Sequence, residues 1–133
     1  MLQTASVDIA LIEAARNGRS EVVKALLNAG ASPNVVSLQG HTPLYLAAWN
    51  DHVAVVRELL THGADADVAD GKLQTPLIHA SRLGKVAVVR ALLEGGADRS
   101  VIDSFGQTAE DAARRFKHPE VLEAFQAHAS PDV

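Results

Sequence analysis

Residues 37–69, SLQGHTPLYLAAWNDHVAVVRELLTHGADADVA, can be laid without a gap over residues 70–102, DGKLQTPLIHASRLGKVAVVRALLEGGADRSVI. The two stretches share 15 of 33 positions, more than chance produces in register. Thr42-Pro43-Leu44 returns as Thr75-Pro76-Leu77, and Leu59-Leu60 returns as Leu92-Leu93. Working outward, Leu26-Leu27 and Gly30-Ala31 lie one period earlier, ahead of Gly63-Ala64 and Gly96-Ala97. A period in this range marks stacked supersecondary units, each with too little apolar surface to be stable alone.

The unit reads physically. Thr42 and Thr75 are suited to cap a helix N-terminus, and the proline after each fits the first helical position, where no backbone N–H is needed. Leu44, Ala47 and Ala48 then fall at helical spacing, with alanines that permit close helix approach. A second helix runs through Val55, Val56, Leu59 and Leu60 and ends at Gly63, which tolerates a left-handed cap. The Asp- and Gly-rich remainder reads as an extended turn.

This pattern resembles the ankyrin repeat family, whose unit is a hairpin turn plus two antiparallel helices. The resemblance implies an all-α chain with short β-hairpin turns, built as a solenoid of stacked helix-turn-helix units. A single domain over residues 1–133 is expected, with an N-terminal capping repeat at 5–36, repeats at 37–69 and 70–102, a C-terminal capping repeat at 103–127 and a tail at 128–133. The first unit has Ile9-Ala10 in place of Thr-Pro, and the last has Ala109-Glu110 in place of Pro-Leu. Terminal units are atypical because one side of each meets water. Tyr45 and Ile78 stand where the family often has a histidine that ties adjacent hairpins, and Leu73 stands in the place of the hairpin glycines Gly40 and Gly106. The hairpin that carries Leu73 is therefore expected to turn differently. Asn34 is expected to bond the turn backbone.

Composition narrows the function. The 133 residues carry 12 Lys and Arg against 16 Asp and Glu, a net charge of −4 that argues against broad attraction to nucleic acid or anionic membrane. The longest apolar run, Leu44 to Trp49, is far short of the ~20 residues a membrane helix needs. With no cysteine there is no thiolate ligand or nucleophile and nothing to mark an oxidising compartment, so the cytoplasm is the expected location, with the nucleus also open. The six histidines include no i, i+4 pair, and no Gly-x-Ser-x-Gly, phosphate loop or His-Glu-x-x-His occurs. No enzyme activity, metal or cofactor is expected.

The resemblance implies a concave protein-binding surface made of hairpin tips and inner helices. Stepping along it by one period gives the rows Arg16, Trp49, Arg82, Arg115 and Asn17, Asn50, Leu83, Phe116, expected to form one stripe. The tips add Leu38, Gln39, His41, Lys72, Gln74, Phe105 and Gln107. Two readings stand for Trp49: an anchor for a partner between arginines, or an intramolecular cover, either a cation–π contact over Arg16 or Arg82 or a lid on a neighbouring helix. Phe105, Phe116 and Phe125 are expected to seal the C-terminal end. The expected function is a monomeric, non-catalytic interaction module for an acidic or mixed acidic and apolar protein segment, with a self-associating or engineered scaffold as the alternative.

Overall fold

The computed structural model describes the backbone of residues 2–128 and the side chains of residues 6–128; of the expected tail, all but His128 lies outside the described residues. Among the described residues eight helices follow one another: α1 (Leu2–Arg16), α2 (Ser20–Asn28), α3 (Pro43–Trp49), α4 (Val53–Thr61), α5 (Pro76–Leu83), α6 (Val86–Glu94), α7 (Ala109–Arg115) and α8 (Pro119–Ala127). Each consecutive pair packs as one unit. Between units, α1, α3, α5 and α7 pack in series as an inner layer, and α2, α4, α6 and α8 as an outer one. The described residues contain no strand.

The caps form as their residues dictate. The hydroxyls of Thr42, Thr75 and Thr108 accept from the backbone N–H groups of Tyr45, Ile78 and Asp111 at 3.1 to 3.2 Å. Asp111 closes a capping box by accepting from the Thr108 N–H, which holds its carboxyl below the usual range. The inner helix of the first unit is 15 residues long against seven or eight in the others.

The core is a row of small and branched aliphatics between layers. Val55, Val88 and Val121 occupy one repeat position and are wholly buried, whereas Val22, the same position in the first unit, is 44% exposed because no described unit packs on that side of it. At the other end Phe125 is fully buried, with the Arg99 guanidinium 4.9 Å from its ring centroid and hydrogen-bonded to its carbonyl at 3.1 Å. Phe125 thus seals the stack as expected. Phe105 and Phe116 do not: they are 77% and 46% exposed.

The three hairpins turn alike. In each, a backbone N–H bonds across the turn: Ser37 to His41, Asp70 to Gln74 and Asp103 to Gln107, at 2.8 to 3.0 Å. Leu73 has φ +62°, in the same left-handed region as Gly40 (+84°) and Gly106 (+75°). The expectation that the Leu73 hairpin turns differently is corrected: the Asp70 carboxylate, accepting from the Lys72 and Gln74 N–H groups, fixes the same turn and carries leucine into a conformation that suits glycine.

The tie between units comes from residues other than the family histidine. Asn34 Oδ1 accepts from the Asp65 N–H at 2.7 Å, and Asp67 Oδ1 accepts from the Asp98 N–H at 2.9 Å, so these two residues, at one repeat position, each bond the next unit's turn. A second ladder runs at the starts of the outer helices. His52 Nε2 lies 3.0 Å from the Arg16 carbonyl and His118 Nε2 2.8 Å from that of Arg82, while Lys85, at the same position of the intervening unit, donates to the Ala48 and Trp49 carbonyls. Each bond satisfies a carbonyl at the end of the preceding inner helix.

Candidate functional site

The inner helices and the hairpins present one side of the molecule, and most of the expected site residues lie there in three groups rather than one stripe.

The first group belongs to the N-terminal end. Arg16, Leu38 and Gln39 line a groove of about 580 Å³ with Ile9, Ile12 and Val36, between α1 and the first hairpin. Leu38 is fully exposed there. Arg16 forms an ion pair with Glu13, one turn earlier on α1.

The second group is an aromatic ladder. His41 stacks on Tyr45 with ring centroids 4.3 Å apart, Tyr45 on Trp49 at 5.7 Å, and Trp49 on His79 at 4.1 Å with only 9° between the planes. Spacing of four along α3 puts Tyr45 and Trp49 on one face. Trp49 is 47% exposed, so part of the indole remains open. Its intramolecular partner is the His79 ring, not Arg16 or Arg82. His79 is buried, and burial first, then the charges of Arg82 and Lys85, push its pKa down from 6.5 to about 4. The neutral ring receives a 3.3 Å hydrogen bond from Arg82 Nη2 at Nδ1, leaving Nε2 without a partner in the protein.

The third group lies at the C-terminal end. Gln74, Arg82 and Arg115 line a cleft of about 200 Å³ between α5, α7 and the third hairpin, together with Phe105 and Phe116. Leu83 is exposed at the end of α5, and Lys72 is exposed on the second hairpin. Gln74 is 6% exposed and offers a partner little surface, a departure from the expectation of an open tip, because its backbone is tied into the Asp70 turn. Asn50 donates to the Leu46 carbonyl at 3.0 Å and the Arg16 carbonyl at 3.4 Å, so its amide also serves the stack. Asn17 lies away from these groups, beside Val22 at the open end of the first unit.

Sequence reasoning missed His52 and His118. The signal was present as a pairing: Gly18 precedes His52 by 34 residues, and Gly84 precedes His118 by the same step. A Cβ on Gly18 or Gly84 would lie 2.5 to 2.6 Å from the respective imidazole, so the ring needs glycine beneath it. In the intervening unit Lys85 replaces the histidine, and Asp51 replaces the glycine. Among the described residues no group of three or more His, Asp or Glu side chains converges to hold a metal ion.

A repeated helix pair, stacked in two layers with threonine-capped inner helices and hairpins on one side, defines a repeat solenoid. Residues 2–70 match the family of ankyrin repeats in three copies, and residues 72–104 match a further ankyrin repeat. The chain belongs to the ankyrin repeat family, whose members are generally protein–protein interaction modules. No curated protein matches it.

Proposed function

We propose that this chain is a non-catalytic recognition module that binds a protein partner on the side formed by the hairpins and inner helices. One observation carries the reading. Among the described residues, ten large apolar side chains are exposed, and only Val22 belongs to an outer helix; the other nine, Trp49, Leu38 and Phe105 among them, lie on the inner helices, the hairpins or the segments leading into them. A stack buries its own stacking residues, so apolar surface collected on one side marks where another molecule fits.

The partner segment is acidic, or mixed acidic and apolar, because Arg82 and Arg115 stand beside Leu83, Phe105 and Phe116. No helix among the described residues is long and apolar enough to cross a membrane, and the cytoplasm is the proposed setting. The test is affinity capture from the source cell, with a Trp49→Ala/Arg82→Ala variant as control. A partner retained equally by both, with folding unchanged, would count against the surface.

A second reading, self-association, is favoured by the open end of the first unit, where Val22 is exposed and Leu26 only half-buried. Light scattering distinguishes it: the proposed module stays monomeric as concentration rises.

A further inference from the structure

The hairpin side is not chemically uniform, and its C-terminal third differs from the rest in charge. Arg57, Arg99 and Arg114 each meet a carboxylate, Glu94, Glu110 and Glu110 respectively. Among the described residues, Arg82 and Arg115 meet none. Arg82 reaches only the neutral His79 ring, and the Arg115 guanidinium lies over the Phe116 ring, 5.6 Å from its centroid, which positions the charge without neutralising it. The carboxylate in the cleft wall, Asp103, is 6% exposed, and its Oδ1 accepts from the Phe105 and Gln107 N–H groups at 2.9 and 3.1 Å. Two guanidinium groups therefore face a cleft whose one acid is bound to backbone, in a chain of net charge −4.

Shape adds a second constraint. Phe105 on the third hairpin and Phe116 at the end of α7 line the cleft together with the buried Ile78. Its volume, about 200 Å³, is below the ~300–1,000 Å³ of sites that enclose a cofactor or drug-sized molecule, and suits one bulky side chain. Exposed phenylalanines beside arginines have the composition of an interface anchor. The groove at the opposite end is larger, but its one cation, Arg16, is paired with Glu13, and Asp8 adds a negative charge beside them, so an acidic segment is not favoured there.

We propose that the cleft between α5, α7 and the third hairpin is the anchor site for an acidic peptide segment, seating one bulky apolar side chain between Phe105 and Phe116 while Arg82 and Arg115 pair with an adjacent carboxylate. This rests on the reading that the hairpin side binds protein, and it moves the centre of binding away from Trp49. The Trp49 ring is already engaged by His79 and Tyr45.

The test uses a displayed library of random linear peptides selected on the full chain. Enriched sequences are expected to place Asp or Glu next to Leu, Phe or Trp. For a peptide so enriched, Phe105→Ala and Arg115→Ala should each weaken binding at least about tenfold, and Arg115→Glu should abolish it, while Trp49→Ala changes it less than about threefold. Phe105 and Arg115 are both exposed, and unchanged thermal melts would show that the variants fold. Loss on Trp49→Ala with Phe105→Ala silent would overturn the anchor assignment and leave the hairpin-side reading standing. Peptides indifferent to all these changes would sink both. Enrichment of basic peptides, no enrichment over the Phe105→Ala/Arg115→Ala protein, or tighter capture of a single-stranded oligonucleotide that depends on Arg82 and Arg115 would each overturn the acidic-peptide assignment.

Discussion

Replacing His79 with leucine should remove most of the protein's loss of stability in mild acid. Leucine is the residue at this repeat position in the preceding unit, Leu46, which is also buried, so the layer accommodates it. His79 is 5% exposed, and its pKa lies at about 4, against 6.5 for an ordinary imidazole, through burial and the charges of Arg82 and Lys85. The unfolded chain takes up this proton near pH 6.5 and the folded chain only near pH 4. Between those values the unfolded state binds more protons, so stability falls as pH falls; the contribution is intact above about 6.5 and gone below about 4. A difference of about 2.5 pH units, at 1.36 kcal/mol each, corresponds to about 3 kcal/mol. At neutral pH two effects oppose. Leucine removes the orphaned Nε2, relieving about 1–3 kcal/mol, but loses the stack on Trp49, about 0.5–1.5 kcal/mol. The variant should therefore match the wild type within about 1–2 kcal/mol at pH 7.5 and exceed it by about 3 kcal/mol more at pH 4. Urea melts of both proteins across this range measure the difference directly, and the other five histidines cancel between them. Parallel stability profiles for the two proteins would refute the reasoning.

Three further substitutions test how the stack is held. Leu73→Gly should raise stability by about 1 kcal/mol in urea melts, because glycine occupies the left-handed turn position without strain, less its greater unfolded entropy. Gly84→Ala should lower the melting temperature more than Gly63→Ala: both glycines have positive φ, but only at Gly84 would the new methyl strike a neighbour, the His118 ring at 2.6 Å, so the difference should reach about 1–3 kcal/mol. Val55→Ala should destabilise by about 2 kcal/mol and Val22→Ala by less than about 0.5 kcal/mol, although both hold the same repeat position, since only Val55 is enclosed by a preceding unit.

What was legible in the sequence was what neighbouring residues decide. Threonine before proline caps a helix within three residues, and alanine and valine at helical spacing bury the same faces in every unit. The Leu73 turn was misjudged because the residue type suggests one conformation while the Asp70 carboxylate, closing the same turn, enforces another. His52 and His118 escaped notice because each bonds a carbonyl 36 residues earlier, and no local pattern announces such a contact. The phenylalanines divide for a related reason. Phe125 aligns with the fully buried Leu59 and Leu92, whereas Phe116 aligns with the exposed Asn17, Asn50 and Leu83. The period itself therefore separates sealing residue from surface residue. The expected stripe is not continuous, because the ladder from His41 to His79 takes up the middle of the face.

The central claim, that a protein segment is recognised on the hairpin side with its anchor at the C-terminal cleft, is tested most directly by amide NMR during titration with the enriched acidic peptide. The account predicts shifts concentrated at Ile78, Arg82, Leu83, Phe105, Arg115 and Phe116, with α2, α4, α6 and α8 unaffected. Shifts concentrated on the outer helices, with these six residues silent, would contradict it.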